Sequence, residues 1–192
     1  MPGKKRVLIL ELILENPAGR VGAFLDEYET FYHLIHVGRD HLPDPTRYDA
    51  IVVLGGSAHL YDTHKYPYSV HEEAYLHQAI KQGVPYLGMC LGGQLLAKAF
   101  GAEVKKLPKY HIGFLEIHFT EEGKKDPLYQ GFESYQLAFQ WHASSCRKGQ
   151  FHWPITARDS ISPSAMVNAP MDCSTTANSP KICSISGCMN LG

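Results

Sequence analysis

Short apolar runs alternate with longer segments of mixed polarity along the first 142 residues. The apolar runs have the length of buried strands and predict β-structure at residues 6–11, 32–37, 50–54 and 85–88. The mixed segments predict helices at residues 21–28, 68–82 and 91–101, with Gly83 and Gly101 as the residues that end the last two. This alternation predicts an α/β fold of three layers, in which helices cover both faces of a mostly parallel sheet.

Glycine-rich turns follow two of the predicted strands. Gly55 and Gly56 come directly after strand 50–54, and Cys90 follows strand 85–88 within the sequence G-M-C-L-G-G. Parallel α/β sheets bind their ligands beyond the carboxyl ends of the strands. The sequence therefore predicts a site at this edge of the sheet.

Cys90 occupies a position that suits a nucleophile. A nucleophile on a sharp strand-to-helix turn needs small neighbours, and Gly88 and Gly92 meet that need. Its place at a helix N-terminus favours the thiolate, because free N–H groups and the helix dipole stabilise negative charge. The alternative is a buried, unreactive cysteine.

Composition and charge narrow the classes of function. With 192 residues, 44% of them hydrophobic, the chain can bury one core, and a net charge of −1 gives no overall attraction to nucleic acid or anionic membranes. No apolar run has the length of a membrane span, and Glu11 interrupts the first apolar segment too early for a signal peptide. The histidines show no metal-ligand spacing. We expect a cytoplasmic protein without a metal or cofactor.

Several separated motifs carry a family resemblance. The pattern P-x-x-G-x-C-x-G-x-Q stands at Pro85, Gly88, Cys90, Gly92 and Gln94, and L-G-G-S-A-H-L-Y-D occupies residues 54–62. Further matches lie at residues 111–129 and in F-Q-W-H at 139–142. Together they resemble the class I glutamine amidotransferases, particularly the GMP-synthase-like branch. The resemblance implies a flavodoxin-like fold with a nucleophile elbow.

The resemblance also implies a chemistry and a set of site residues. The Cys90 thiolate would attack the side-chain amide of L-glutamine, and the backbone N–H groups of Gly56 and Leu91 would stabilise the oxyanion. Gly55 and Gln94 would bind the substrate, although Gln94 also suits the exposed side of a helix. Ammonia would leave for a separate acceptor enzyme or substrate.

The family's catalytic histidine and glutamate come from a late H-P-E motif, which this sequence lacks. No glutamate follows His142, and the only later histidine, His152, precedes Trp153. His142 matches a loop residue that comes before the catalytic histidine of the resembling enzymes, so we assign it no general-base role. We expect this chain to be impaired in glutamine hydrolysis.

Residues 143–192 differ in composition from residues 1–142, which form the expected amidotransferase-like domain. Serine, proline and asparagine dominate this tail, and we expect it to be poorly ordered and to leave the C-terminal part of the fold incomplete. A zinc site would need the tail's four cysteines, which include no C-x-x-C pair: Cys146, Cys173, Cys183 and Cys188.

A shifted reading frame is the third explanation of the tail. Resembling proteins commonly continue W-H-G-D-T-F-x-L-P-x-G-A-x-x-L-A. Reading the codons of residues 145–154 one nucleotide earlier permits L-P-K-G-A-V-P-L-A, and the two residues that the genetic code forces, Leu and Ala, both agree. The hypothesis is that the tail is translated out of frame.

Three functional classes stay open. The chain is an enzyme of the glutamine amidotransferase type, a non-catalytic relative that binds glutamine or a protein partner, or a different cysteine hydrolase of flavodoxin-like architecture. Gln94, four residues after Cys90, argues against the last class.

Overall fold

A computed structural model describes residues 5–14, 16–57, 60, 68–119, 121–125, 129, 131–133, 135–146, 155–157, 168–169 and 182–185. Its helices are α1 (Gly19–Glu27), α2 (Tyr68–Lys81), α3 (Leu91–Ala99) and α4 (Glu121–Lys125), with a 3-10 turn at Pro45–Arg47. Its strands are β1 (Arg6–Glu11), β2 (Phe31–His36), β3 (Ala50–Val53), β4 (Tyr86–Met89), β5 (Val104–Phe119), β6 (Tyr135–Cys146), β7 (Ile155–Ala157), β8 (Asn168–Ala169) and β9 (Ile182–Ile185).

A six-stranded sheet in the order β2-β1-β3-β4-β9-β8 forms the centre of the fold. Neighbouring strands from β2 to β9 pair in parallel, and β8 pairs antiparallel with β9. The predicted α/β fold with a mostly parallel sheet is therefore confirmed. All seven predicted elements occur, and each boundary agrees to within about two residues.

Alternate residues of the central strands pack against helices on opposite faces. Leu8, Leu10 and Ile51 contact the apolar cluster that includes Leu76 of α2 and Leu95 of α3. On the other face, residues from the strands and the turn after β3 pack against Val21 and Leu25 of α1. These residues are Val7, Ile9, Val52 and Leu54. Both faces are buried, which explains why these strands appear in the sequence as continuous apolar runs.

Glycines end α2 and α3 as predicted. Gly83 and Gly101 both have φ of +83°, and each follows the last residues of a helix. The N–H of Gly101 donates to the carbonyl of Lys98, and that of Ala102 donates to the carbonyl of Ala97. This pair of bonds is a Schellman motif, which directs the chain out of α3 toward β5.

A second, antiparallel sheet has the order β6-β5-β7. Strands β5 and β6 pair along most of their length, with Phe114 opposite Phe139 and Ile112 opposite Trp141. The described helices include none that is long and apolar enough to cross a membrane.

Three short strands lie in the tail. β7 pairs with β5, β9 extends the parallel sheet beside β4, and β8 pairs with β9. These three segments of the tail are too short to show periodicity, and pairing with their partner strands fixes their place in the sheets. Residues 143–146 complete β6, and the remainder of the tail lies outside the described residues. The division into residues 1–142 and 143–192, with a poorly ordered tail, stays a prediction.

Candidate active site

Cys90 lies between the end of β4 and the first residue of α3, with φ of +49° and ψ of −107°. Residues other than glycine rarely adopt a positive φ, and such conformations persist where the surrounding structure imposes them. The strained turn directs the chain from strand to helix within one residue. Cys90 therefore lies on a sharp strand-to-helix turn, which is the geometry expected of a nucleophile elbow.

Two glycines allow the elbow to pack closely. A Cβ atom at Gly88 would lie 2.7 Å from the backbone carbon of Gly92 and the nitrogen of Gly93. A Cβ atom at Gly92 would lie 2.4 Å from the carbonyl oxygen of Val53 in β3. The prediction that Cys90 needs small neighbours is confirmed, because any side chain at either position would meet backbone atoms.

Two backbone N–H groups converge on the Cys90 sulfur. The N–H groups of Leu91 and Gly56 both donate hydrogen bonds to the thiol, and each bond lowers its pKa. Burial acts in the opposite direction and has the larger effect, so the pKa of the thiol is raised above its ordinary value of 9.0. The N–H group at the start of α3 thus favours the thiolate, as expected, but burial outweighs this effect on the pKa of the thiol.

The turn after β3 lies against the elbow. Gly55 is buried, and a Cβ atom added there would lie 3.2 Å from the Cβ of Cys90 and 3.3 Å from Nδ2 of Asn16. Gly56 is partly buried, with the side chains of Ile13 and Leu91 at 3.2 Å from its added Cβ. The β1–α1 connection therefore forms one wall beside Cys90. The sequence reading missed Asn16, whose only signal is its place after the carboxyl end of β1.

Gln94 lies in the first turns of α3 and is 3% exposed. Its backbone N–H donates to the carbonyl of Cys90 at 3.1 Å. The alternative reading of Gln94 as a polar residue on an exposed helix face is wrong. A buried amide at this place costs free energy unless it is hydrogen-bonded, which is consistent with a role in the site.

The sequence reading missed two further buried polar residues, Tyr86 and Glu72. The hydroxyl of Tyr86 in β4 donates to the carbonyl of Gly92 at 2.7 Å. Glu72 of α2 is 2% exposed, and burial raises its pKa from 4.5 to about 8. Among the described residues, its Oε1 atom has no hydrogen-bond partner.

No histidine or carboxylate in the described part of the chain contributes to the pKa of the Cys90 thiol. Glu11 and His36 form an ion pair at the same edge of the sheet, at the ends of β1 and β2. Because β3 separates β1 from β4, this pair is displaced from Cys90 by at least two strand spacings, roughly 10 Å. His142 lies in β6 opposite His111, and His152 is outside the described residues.

The described residues contain no group of three or more metal-binding side chains. Of the four tail cysteines, Cys146 lies in β6 of one sheet and Cys183 in β9 of the other. Cys173 and Cys188 lie outside the described residues, so the four-cysteine zinc hypothesis has no further support here.

The family model for glutamine amidotransferase class-I matches residues 29–173, and so extends past His142 into the tail. A curated relative, the putative glutamine amidotransferase-like protein YfeJ of Salmonella typhimurium, is 32% identical over 118 residues, which cover 60% of this chain and 49% of that protein. The GMP synthase [glutamine-hydrolyzing] of Wolinella succinogenes is 28% identical over 120 residues, which cover 61% of this chain and 21% of the synthase. The chain thus spans about half, or less, of the length of these relatives.

Solved structures share the fold. A glutamine amido transferase from Methylobacillus flagellatus superposes with a TM-score of 0.68 and is 26% identical, with 81% of this chain and 63% of that chain covered. The α/β fold of this chain therefore agrees with that of a solved glutamine amido transferase.

Proposed function

The chain belongs to the class-I glutamine amidotransferase family, and we propose that its Cys90 hydrolyses the side-chain amide of L-glutamine through a covalent thioester. The observation that carries this proposal is the convergence of the Gly56 and Leu91 N–H groups on the Cys90 sulfur. A substrate carbonyl under attack by that sulfur would place its oxygen near the same two donors. Such preorganised donors stabilise the charge that develops in acyl transfer.

The reaction proceeds in two steps. Sulfur forms a bond to the amide carbon, the oxyanion develops against Gly56 and Leu91, and the C–N bond then breaks to release ammonia, with a proton supplied to the nitrogen. Water next attacks the thioester, the C–S bond breaks, and glutamate leaves while the thiol regains its proton. Atoms and charges balance with glutamine and water as the only reactants.

Gly55 and Gln94 are the proposed substrate-binding residues. Gly55 leaves open the space beside Cys90, since even one added carbon there would approach the Cys90 Cβ to 3.2 Å. Gln94 adds a buried amide one helical turn after Cys90. Gly55 thus lies beside Cys90, and the backbone N–H of Gln94 donates to the Cys90 carbonyl.

Turnover in this 192-residue chain is proposed to be impaired. The leaving ammonia must gain a proton and the second-step water must lose one, tasks that a histidine held by a carboxylate performs in such sites. The described residues bring no such pair to Cys90, and its raised pKa leaves the thiol protonated at pH 7. The same two observations favour a second candidate, a non-catalytic relative that binds glutamine or a protein partner.

The ammonia acceptor is proposed to be a separate protein or substrate. The relative named GMP synthase [glutamine-hydrolyzing] is much longer than this chain, which covers 21% of it. Ammonia released at Cys90 would be consumed by this acceptor. We place this partnership in the cytoplasm and assign no contact with nucleic acid or membranes.

Labelling of Cys90 with a chloroketone analogue of L-glutamine tests the proposal. Trypsin cleavage after Lys81 and Lys98 releases residues 82–98, in which Cys90 is the only cysteine. We expect mass spectrometry to find one label on this peptide and L-glutamine to suppress it at least tenfold. Because the thiol pKa is raised above 9.0, the labelling rate should rise about tenfold per pH unit without a plateau below pH 9.

D-Glutamine and the Cys90→Ala variant are the matched controls. D-Glutamine should give no protection, and Cys90→Ala should remove the label from the peptide while leaving the other cysteines unchanged. Glutamine binding by calorimetry without chloroketone labelling would favour the non-catalytic relative. The absence of both glutamine binding and labelling would refute a glutamine site.

A further inference from the structure

Strands β5 and β6 carry large apolar side chains on one side. In their antiparallel pairing, Ile112 lies opposite Trp141 and Phe114 lies opposite Phe139. Opposed residues of such a pair point to the same side of the sheet, and so do alternate residues along each strand. The side chains that share this side and are 53% to 67% exposed form what we call the β5–β6 face: Ile112, Phe114, Tyr135, Leu137 and Trp141.

The other side of the same strands is buried. Ala138 of β6 and Phe119 of β5 are both buried, and the Phe119 ring packs on the rings of Tyr129 and Phe132. An antiparallel sheet with one buried side normally carries polar residues on the side that faces water. The β5–β6 face carries aromatic and aliphatic residues there instead, so its exposure calls for an explanation.

The size of the β5–β6 face fits a contact between two chains. An aromatic side chain buries about 150–250 Å², so five large apolar side chains that are more than half exposed offer roughly 600 Å². This area is at the upper end of the largest apolar patches on ordinary monomers, about 300–600 Å². Two such faces together bury about 1,200 Å², which reaches the range of specific protein–protein interfaces. We propose that the β5–β6 face packs against the same face of a second copy of this chain.

The charges on the β5–β6 side fit a second copy better than a charged partner. The alternate residues of 112–118 and 135–141 that share this side include no lysine or arginine. Its one carboxylate lies against its one imidazole, with 2.6 Å between Oε1 of Glu116 and Nε2 of His118. Interface cores are depleted in charged residues and enriched in aromatic residues. A nucleic acid or an anionic membrane would find no cation here, whereas an identical face supplies matching apolar surface.

Aromatic contacts hold the β5–β6 face in shape. The rings of Phe114 and Phe139 pack edge to face with 5.4 Å between their centroids, and Phe139 packs in the same way on Trp141 at 6.5 Å. Side chains that are already ordered lose less conformational entropy on association. Because both copies use the same patch, the contact is closed at two chains and does not propagate into a polymer.

Sedimentation velocity of the 192-residue chain tests the proposal. The measurements are made in a reducing buffer, because the five cysteines could otherwise link chains covalently. Between about 1 and 200 µM we expect the mass to rise from that of one chain to that of two, with a midpoint on the order of 10 µM. A chain that stays monomeric over this range, or a mass that grows past two chains, would overturn the proposal.

Lysines placed on the face should prevent pairing. Leu137→Lys combined with Trp141→Lys brings four like charges into the contact, and we expect the midpoint to rise at least tenfold. Both residues are exposed, so circular dichroism should show an unchanged fold. Phe24→Lys combined with Tyr28→Lys is the matched control, since these two residues of α1 and its C-terminal end are similarly exposed and contact each other. An unchanged midpoint in the first variant, or an equal rise in both, would contradict the assignment to this face.

Trp141 fluorescence gives a second measurement that leaves the face intact. Trp153 is the only other tryptophan, so Trp153→Phe makes Trp141 the sole emitter. We expect its emission to shift to shorter wavelength with the same midpoint as the mass. Short-wavelength emission from a monomer at every concentration would overturn the proposal in favour of cover by the chain's own tail, and constant long-wavelength emission would overturn it in favour of a different partner. Neither measurement involves glutamine, so failure of the proposed function would leave these results unchanged.

Discussion

Replacing Gly92 with alanine is expected to lower the free energy of unfolding by about 3 kcal/mol or more. The new Cβ would lie 2.4 Å from the carbonyl oxygen of Val53 and 2.9 Å from its carbonyl carbon. Val53 belongs to β3, which is held on both sides by β1 and β4, so relief requires α3 to move away from the sheet. Urea denaturation measured by circular dichroism gives the change in unfolding free energy.

Gly22→Ala is the matched control, since Gly22 is also a buried helical glycine. The nearest atom to its added Cβ is the hydroxyl oxygen of the Tyr32 side chain at 3.2 Å, and a side-chain end can shift where a backbone carbonyl cannot. We expect Gly22→Ala to change the unfolding free energy by no more than about 1 kcal/mol, because the gain in helix propensity offsets the tight contact. Equal effects of the two substitutions would contradict a special requirement at Gly92.

The fold could be predicted because its signals are local. Buried parallel strands require continuous apolar runs, as in V-L-I-L of β1 and A-I-V-V of β3, and glycines with φ of +83° mark the ends of two helices. The elbow was equally visible, since Gly88, Cys90 and Gly92 stand together in the sequence. The residue that requires glycine at position 92, Val53 of β3, is distant along the chain and was not predicted.

Features that depend on tertiary packing could not be predicted. Asn16 reaches the space beside Gly55 from the β1–α1 connection, and Glu72 becomes a buried acid only when α2 packs on the sheet. The net pKa direction at Cys90 is of the same kind: the two N–H donors follow from the elbow, but the burial that outweighs them comes from the whole fold. Strand β9 takes its place from β4, not from its own pattern.

The site contains only some of the groups that glutamine hydrolysis is expected to need. Cys90, its strained turn and the two N–H groups that bond to its sulfur all lie within residues 1–142. Proton transfer has no residue assigned to it. Strand β4, which leads to Cys90, pairs on one side with β9 of the tail, so the tail contributes to the sheet that holds this turn.

Restoring the alternative reading frame after His142 is therefore expected to raise glutaminase turnover by about 10²- to 10⁴-fold, the usual contribution of general acid–base catalysis. Sequencing independent transcripts through the codons of residues 141–154 first establishes whether the shifted frame reads toward L-P-K-G-A and a downstream F-H-P-E. Turnover is measured as glutamate released from purified 192-residue and frame-restored chains. Cys90→Ala in the restored chain should return the rate to background, which assigns the gain to this site. A shifted frame that reads stop codons would refute the frameshift account. Ordinary turnover by the 192-residue chain itself would refute the proposed impairment.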